Sequence, residues 1–362
     1  MKKQTHCSLA VCGWDNRSRK MCCFAKLPRY ENYIEMHNDV EVKLLLDDLA
    51  NGVKNAVCDI CWSAEERGEF SMRQQSLQNE GSIKKEEVLE QEHNDKKLKY
   101  LIINSGNQCN LACRTCGPNS STAHVKEWEI KNKKKHIKDS LDSILLLKQD
   151  LSSVKTIEVL GGEPFLNLEH LQILDKVKNN SPYWLTYTTN GTVRLRNEIL
   201  EKFSAFKAVN ISLSIDAVGK PFEYIRTLGE WKKIEKNVQI LLGQKNTHKH
   251  MSVNCHITVS ALNVLYITTL IDWLDAKNII FDYTYCEYPM EYSLKIFNDQ
   301  QKNHIINKLK ERKQTEPIIQ YLQNSIPNEK LINKFKEAVD FTKKYRNLAL
   351  EDYLPELHSL IM

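Results

Sequence analysis

The chain has 362 residues, 41% hydrophobic and 27% charged, with a formal net charge of +5. That length buries a sizeable core in one large α/β domain plus a smaller one, without a disulfide scaffold. The N-terminus, MKKQTHCSLAVCGWDNRSRK, has no secretory apolar run, so the eleven cysteines are expected in a reducing cytoplasm, where clustered thiols bind metal more often than they pair.

Residues 1–80 hold six of the eleven cysteines: Cys7, Cys12, Cys22, Cys23, Cys58 and Cys61. A Cys-x2-Cys pair joined by upstream cysteines suits a zinc site or an iron–sulfur cluster, and spacing alone does not decide between them. The stretch GSIKKEEVLEQEHNDKK at 81–97 is almost entirely polar and reads as a linker.

From 98 onward, β-branched and aromatic runs alternate with segments of helical period, the mark of βα units and a parallel sheet. Six strands are expected at 98–104, 156–160, 183–189, 208–215, 252–259 and 279–285. Helices are expected near 121–149, 168–179, 196–204, 222–244 and 263–276, as crossovers between parallel strands require. The lysine-rich KNKKKHIK at 131–138 reads as a solvated helix face, so no nucleic acid partner is expected. The most apolar stretch, VLYITTLIDWL at 264–274, is too short to span a bilayer and contains Asp272, so no membrane segment is expected. Residues 291–362 carry a helical pattern and read as a tail closing the barrel side or capping the N-terminal region.

In βα architectures chemistry gathers at the carboxyl ends of strands. Cys109, Cys113 and Cys116 follow the first expected strand, Gly161-Gly162-Glu163-Pro164 the second and Thr189-Asn190-Gly191 the third. Ser212, Ser214 and Asp216 end the fourth. Alone, Gly-Gly and Asn-Gly are turns and Ser-x-Ser-x-Asp is a strand end followed by a helix cap. Three cysteines within eight positions, flanked by polar residues and glycine, are not a core pattern. Three thiolates leave one iron of a four-iron cubane open, whereas structural zinc wants four protein ligands. Cys255 reads as core, as do His124 and His256 as structural residues, and Cys286 sits near a strand end.

Cys109-x3-Cys113-x2-Cys116 on this loop resembles the signature of the radical S-adenosylmethionine (SAM) enzymes. Gly161-Gly162-Glu163-Pro164 is similar to that family's GGEP segment. The resemblance covers about 98–290 and implies a partial (βα)6 TIM-like barrel of the α/β class, with a [4Fe–4S] cluster on Cys109, Cys113 and Cys116. It implies that Gly161, Gly162 and Glu163 meet the amino group of SAM. It also implies that Thr189, Asn190, Ser214 and Asp216 help hold SAM and that Arg226 pairs with its carboxylate. The implied chemistry is reductive cleavage of SAM to a 5′-deoxyadenosyl radical that takes hydrogen from a substrate, with a reductant such as flavodoxin or ferredoxin.

Cys58, Cys61, Glu65, Gly68, Ser71 and Arg73, with an upstream cysteine and a Cys-Cys doublet, resemble a SPASM or twitch auxiliary-cluster module placed before the barrel. This implies an auxiliary [4Fe–4S] cluster on Cys7, Cys22, Cys58 and Cys61, with Cys23 as an alternative to Cys22, Cys12 as a spare and zinc as the rival metal. By family analogy the substrate is a peptide, a protein side chain or a small metabolite. Two other functions compete: a metal-binding partner protein without turnover, and an activase that makes a glycyl radical on another protein.

Overall fold

The structure is a computed structural model that describes residues 5–66, 71–78, 97–136, 143–180 and 182–362. Gly68 and all but Lys97 of the expected linker lie outside the described residues. Seven strands form one parallel sheet in chain order: β1 (Gly13–Asp15), β2 (Tyr100–Asn104), β3 (Thr156–Leu160), β4 (Trp184–Thr189), β5 (Ala208–Ser214), β6 (Met251–Val259) and β7 (Ile280–Tyr285). Successive strands are sequence neighbours, so every crossover steps the same way and the sheet curls into an open partial barrel.

Six strands lie within two residues of their expected bounds; β1 is additional. Gly13, Trp14 and Asp15 pair with Tyr100, Leu101 and Ile102, so the cysteine-rich N-terminal segment adds an edge strand to the barrel sheet. Three residues are too few to show a period.

The two faces of the sheet differ in chemistry. Ile157, Val159, Leu185, Tyr187, Val209, Ile211, Cys255 and Ile257 lie buried on the helix-covered outer face. The inner face carries the registered rows Ile102, Glu158, Thr186, Asn210, Ser252 and Ser214, His256, Asp282. Alternate residues of β4 and β6 are half-exposed on this side. A closed (βα)8 barrel fills its interior with branched apolar side chains. Here, polar side chains bridge strands instead: Asn210 Nδ2 donates to Asn254 Oδ1 at 2.9 Å and Ser252 Oγ to Asn210 Oδ1 at 2.9 Å. The interior is built for a polar occupant.

Two expected helices are shorter than their sequence patterns. The 121–149 segment forms the helix Thr122–Asn132 and a 3-10 turn Ser143–Lys148, with 137–142 outside the described residues. The helix stops where Lys133 turns left-handed, a conformation that ends helices. The 222–244 segment divides into helices Gly219–Ile225 and Trp231–Thr247. Leu228 has φ +75°, and a Cβ on Gly229 would stand 2.8 Å from the Arg226 carbonyl oxygen. This break frees Arg226 to turn toward the strand ends.

The C-terminal residues are helical, with Asp299–Leu309, Glu316–Asn324 and Glu329–Arg346 the longest elements. Asn298 and Gln301 form a reciprocal capping box at the first, satisfying donors that a helix end otherwise leaves orphaned. Tyr321 stacks on Tyr285 of β7 with ring centroids 3.9 Å apart, so this region covers the outer side of β7. No helix among the described residues is long and apolar enough to cross a membrane.

Candidate active site

The cysteine loop leaves β2 and is tied down from several directions. Ala112 N–H donates to Thr227 O at 2.9 Å and Arg114 N–H to Ile225 O at 2.8 Å. His124 Nε2 lies 2.7 Å from Cys113 O; burial depresses the pKa of His124, so its neutral ring donates there. The histidine positions the loop backbone. Arg114 is buried against Glu127, with Nη1 to Oε1 at 2.7 Å, and Arg346 Nε reaches Glu127 Oε2 at 3.0 Å. The C-terminal helix therefore braces the loop from behind.

Cys113 is buried, while Cys109 and Cys116 are partly exposed. Donors from three places reach their sulfurs. Leu111 N–H lies 3.4 Å from Cys109 Sγ, Asn190 Nδ2 3.6 Å from the same sulfur and Arg226 Nη1 3.9 Å from Cys113 Sγ. Burial pushes the Cys113 thiol up to about 12, against the pull of Arg226. Burial also raises Cys109 and Cys116. Metal binding takes the proton from such thiols, and donors aimed at sulfur stabilise the resulting thiolate.

Gly161 and Gly162 let β3 end against the start of this loop. Gly161 has φ +141°, and a Cβ on Gly162 would stand 2.3 Å from the Gln108 carbonyl oxygen. Gly162 N–H donates to Gly106 O and Glu163 N–H to Gln108 O, each at 2.8 Å. Glu163 is fully buried. Its carboxylate accepts from Thr189 Oγ1 at 2.8 Å, Asn190 N–H at 2.8 Å and Phe165 N–H at 3.2 Å. Burial raises its pKa to about 7, although these donors and Arg226 favour the charged form. Glu163 thus clasps the end of β3 to the end of β4 and aims Asn190 at Cys109.

Asp216 lies two residues beyond β5 and is fully buried. Its Oδ1 accepts from Thr258 N–H at 2.9 Å, and its Oδ2 accepts from Arg226 Nε and Nη2, each at 2.8 Å. Burial opposes the charge on Arg226, but Asp216 and the two cysteines Cys113 and Cys116 hold its pKa above the ordinary value. Ser214 is half-exposed at the end of β5, in register with His256. His256 Nδ1 meets Asp282 Oδ1 on β7, and Nε2 lies 3.1 Å from Thr284 Oγ1. Cys255 is fully buried and Cys286 is buried with its thiol toward Tyr288 O.

The N-terminal cysteines form a second gathering. Burial raises Cys7, which also feels Cys61; Cys22 feels Cys7, and Cys58 feels both Cys7 and Cys61. Cys12 is fully buried, with its thiol donating to Ser8 O. Cys23 is exposed and faces a different set, Asp15 and Glu158 as well as Cys61. Glu65 and Arg73 form a bidentate pair at 2.8 and 2.7 Å, Ser71 Oγ donates to the same carboxylate, and Arg73 Nη1 donates to His6 O at 2.7 Å. The motif residues therefore tie the segment carrying Cys7 to the helix carrying Cys61.

Among the described residues, no three His, Cys, Asp or Glu side chains converge tightly enough for a single metal ion. A cubane places each thiolate on a different iron. Two features had no signal in the sequence reading: the Arg114, Glu127 and Arg346 brace, and Arg17, whose Nη1 lies 3.2 Å from Ser120 Oγ at the end of the cysteine loop.

Comparison with known proteins found distant sequence relatives and solved structures of partial likeness. A probable GTP 3′,8-cyclase of Methanocaldococcus jannaschii is 23% identical over 55% of this chain and 67% of its own length. A GTP 3′,8-cyclase of Psychromonas ingrahamii is 23% identical over 51% of this chain and 52% of its own, so the match spans about half to two thirds of these relatives. A solved structure described as native anSMEcpe with bound AdoMet and Cp18Cys peptide overlays with a TM-score of 0.38 at 18% identity, covering 63% of this chain and 62% of that one. Residues 103–254, from β2 into β6, match the model of the Radical SAM superfamily, so this part of the chain is a radical SAM domain, of the kind that works with a [4Fe–4S] cluster and SAM.

Proposed function

We propose that Cys109, Cys113 and Cys116 hold a [4Fe–4S] cluster with one open iron, and that SAM binds against it along the strand ends. The observation that carries this reading is the convergence of Asn190, just after β4, and Arg226, at the end of the helix Gly219–Ile225, on the sulfurs of Cys109 and Cys113. A reduced cluster held there would supply one electron to the sulfonium of bound SAM, which would break its C5′–S bond to give methionine and a 5′-deoxyadenosyl radical able to take hydrogen from a substrate.

In this reading Arg226, held cationic by Asp216, pairs with the SAM carboxylate. Ser214 and Asn190 offer polar contacts beside the open iron. Gly161 and Gly162 bring the β3 backbone against the cysteine loop. Glu163 and Thr189, bonded to each other, set the height at which Asn190 and the loop meet SAM.

We propose residues 1–80 as an auxiliary module carrying a second [4Fe–4S] cluster on Cys7, Cys22, Cys58 and Cys61, with its strand β1 joined to the barrel of residues 98–290. The gathering of the N-terminal thiols around Cys7 and Cys61, and the Arg73 tie between their segments, support a cluster here. The helices of 291–362 brace the barrel and the cysteine loop. A flavodoxin or ferredoxin as reductant, a cytoplasmic setting and a peptide, protein side chain or small metabolite as substrate belong to the same proposal. Anaerobically reconstituted protein given dithionite and SAM is expected to release 5′-deoxyadenosine. A loaded cluster with no cleavage of SAM would move the reading to a metal-binding partner protein.

A further inference from the structure

The two edges of the sheet differ. On the outer side of β1 the chain's own turn takes up the strand, Asp15 N–H donating to Lys20 O at 2.8 Å. β7 is the other edge, a strand of six residues with β6 as its one neighbour in the sheet. Cys286 N–H, just past its end, donates to Val259 O of β6 at 2.8 Å. Backbone groups alternate sides along a strand, so Ile280, Asp282 and Thr284 bond toward β6 as Cys286 does. Phe281 and Tyr283 turn their N–H and C=O away from the sheet, and among the described residues these backbone groups have no hydrogen-bond partner.

An open ladder is a template for another extended chain, and edges not meant to pair are guarded by lysine, proline, a bulge or a covering segment. β7 reads Ile-Phe-Asp-Tyr-Thr-Tyr, without lysine or proline, and its register with β6 runs unbroken from Ile280 to Tyr285. The C-terminal region covers its outer face, where the Tyr283 and Tyr285 hydroxyls donate to Gln314 O at 2.6 Å and Pro317 O at 3.0 Å. The inner face is left open: Ile280 is 75% exposed and the Asp282 side chain 57%. Asp282 shares a registered row with His256 and Ser214, the last residue of β5, so a chain laid along β7 extends the row that ends at the candidate site. The Asp282 carboxylate meets His256 Nδ1 and accepts from Asn254 Nδ2 at 3.4 Å. Among the described residues no lysine or arginine lies within ion-pair distance of it, so a basic side chain on a neighbouring strand is attracted there and an acidic one repelled.

We propose that β7 binds the substrate as an extended peptide by strand addition, its backbone paired with Phe281 and Tyr283 and a lysine or arginine side chain set against Asp282. This names the substrate class of the proposed function and rests on that reading only in calling the peptide a substrate. Backbone pairing supplies affinity whatever the sequence, and alternate side chains supply the selection. Every second side chain of the added strand faces the barrel interior, so a residue is offered to the site while the backbone stays at the rim.

The test uses reconstituted protein saturated with SAM and the capped peptide Thr-Val-Thr-Lys-Thr-Val-Thr, beside a version with glutamate in place of lysine. With the lysine peptide in excess, amide hydrogen exchange resolved to single residues is expected to slow at Phe281 and Tyr283 and to stay unchanged at Asp282 and Thr284, which are already bonded to β6. Fluorescence anisotropy is expected to show the lysine peptide bound about threefold or more tighter than the glutamate one, a preference lost in Asp282→Asn. Phe281→Pro removes an outward N–H and is expected to weaken binding about tenfold, with Phe281→Leu close to the wild type. No binding of either peptide, equal affinity for the two, or protection that does not alternate along β7 overturns the proposal. Protection of the same amides without peptide, rising with protein concentration as a dimer forms, overturns it in favour of a second copy of this chain. Deoxyadenosine release by the wild type without peptide reports independently on the radical SAM reading.

Discussion

Arg114 and Glu127 meet in a 2.7 Å ion pair with side chains only 2% and 6% exposed, and Arg346, from the far end of the chain, closes on the same carboxylate at 2.9 Å. Two guanidiniums share one buried anion directly behind Cys113. Removing the anion leaves both cations uncompensated, which costs about 3–5 kcal/mol in comparable buried pairs. Glu127→Gln is therefore expected to lower the urea midpoint by a corresponding amount and to reduce the iron retained after reconstitution. Arg346→Gln, at a site with 16% side-chain exposure, is expected to cost less.

Glu163 predicts a pH dependence of stability. Its pKa rises from 4.5 to about 7 on folding because the carboxylate is buried. The native state therefore binds more protons than the unfolded state between these values, and stability falls as pH rises through that window. The rise corresponds to about 3 kcal/mol at most. Chemical unfolding of the apoprotein from pH 4.5 to 8 should show this slope, and Glu163→Gln should remove it. The same variant is expected to weaken SAM binding with iron content unchanged, because the cysteine loop keeps its own ties. Loss of iron would make Glu163 a support of the cluster loop instead.

Gly162 packs without room for a side chain, since a Cβ would stand 2.3 Å from the Gln108 carbonyl oxygen. Backbone at that distance must move. Gly162→Ala is expected to displace the start of the cysteine loop and to lower cluster occupancy well below the wild type, measured as iron and acid-labile sulfide. Full occupancy would mean that the loop and β3 separate at little cost.

Arg73 joins Glu65 by two hydrogen bonds and holds the His6 carbonyl at 2.7 Å. Arg73→Lys cannot reproduce the fork. It is expected to lose the iron of the N-terminal cysteine group selectively, about half of the total, while SAM cleavage in the absence of substrate persists. Equal loss from both cysteine groups would show that the two do not load independently.

The strands were legible because each is a run of β-branched and aromatic residues, in β2 to β6 buried on at least one face, and β3 to β7 lie close to the positions those runs predict. The cysteine loop was legible because three thiols in eight positions have no use in a core. Other features have no local signature. Glu127 and Arg346 are 219 residues apart, and nothing around either announces the other. The helix break at Leu228 and Gly229 hides inside a continuous apolar period, yet it releases Arg226 toward Asp216. The residues of GGEP could be read as a turn beside the site, but the burial of Glu163 and its clasp on Thr189 and Asn190 depend on how two strand ends approach. Strand β1 depends on a three-residue pairing, below the length at which a period can be read.

The most direct test of the account counts iron in anaerobically reconstituted wild type and in a Cys109/Cys113/Cys116→Ala variant, then adds dithionite and SAM and measures 5′-deoxyadenosine. The account predicts about eight irons falling to about four, with deoxyadenosine from the wild type alone. Iron that does not fall in the variant, or deoxyadenosine that persists in it, would contradict the assignment of the open cluster to this loop.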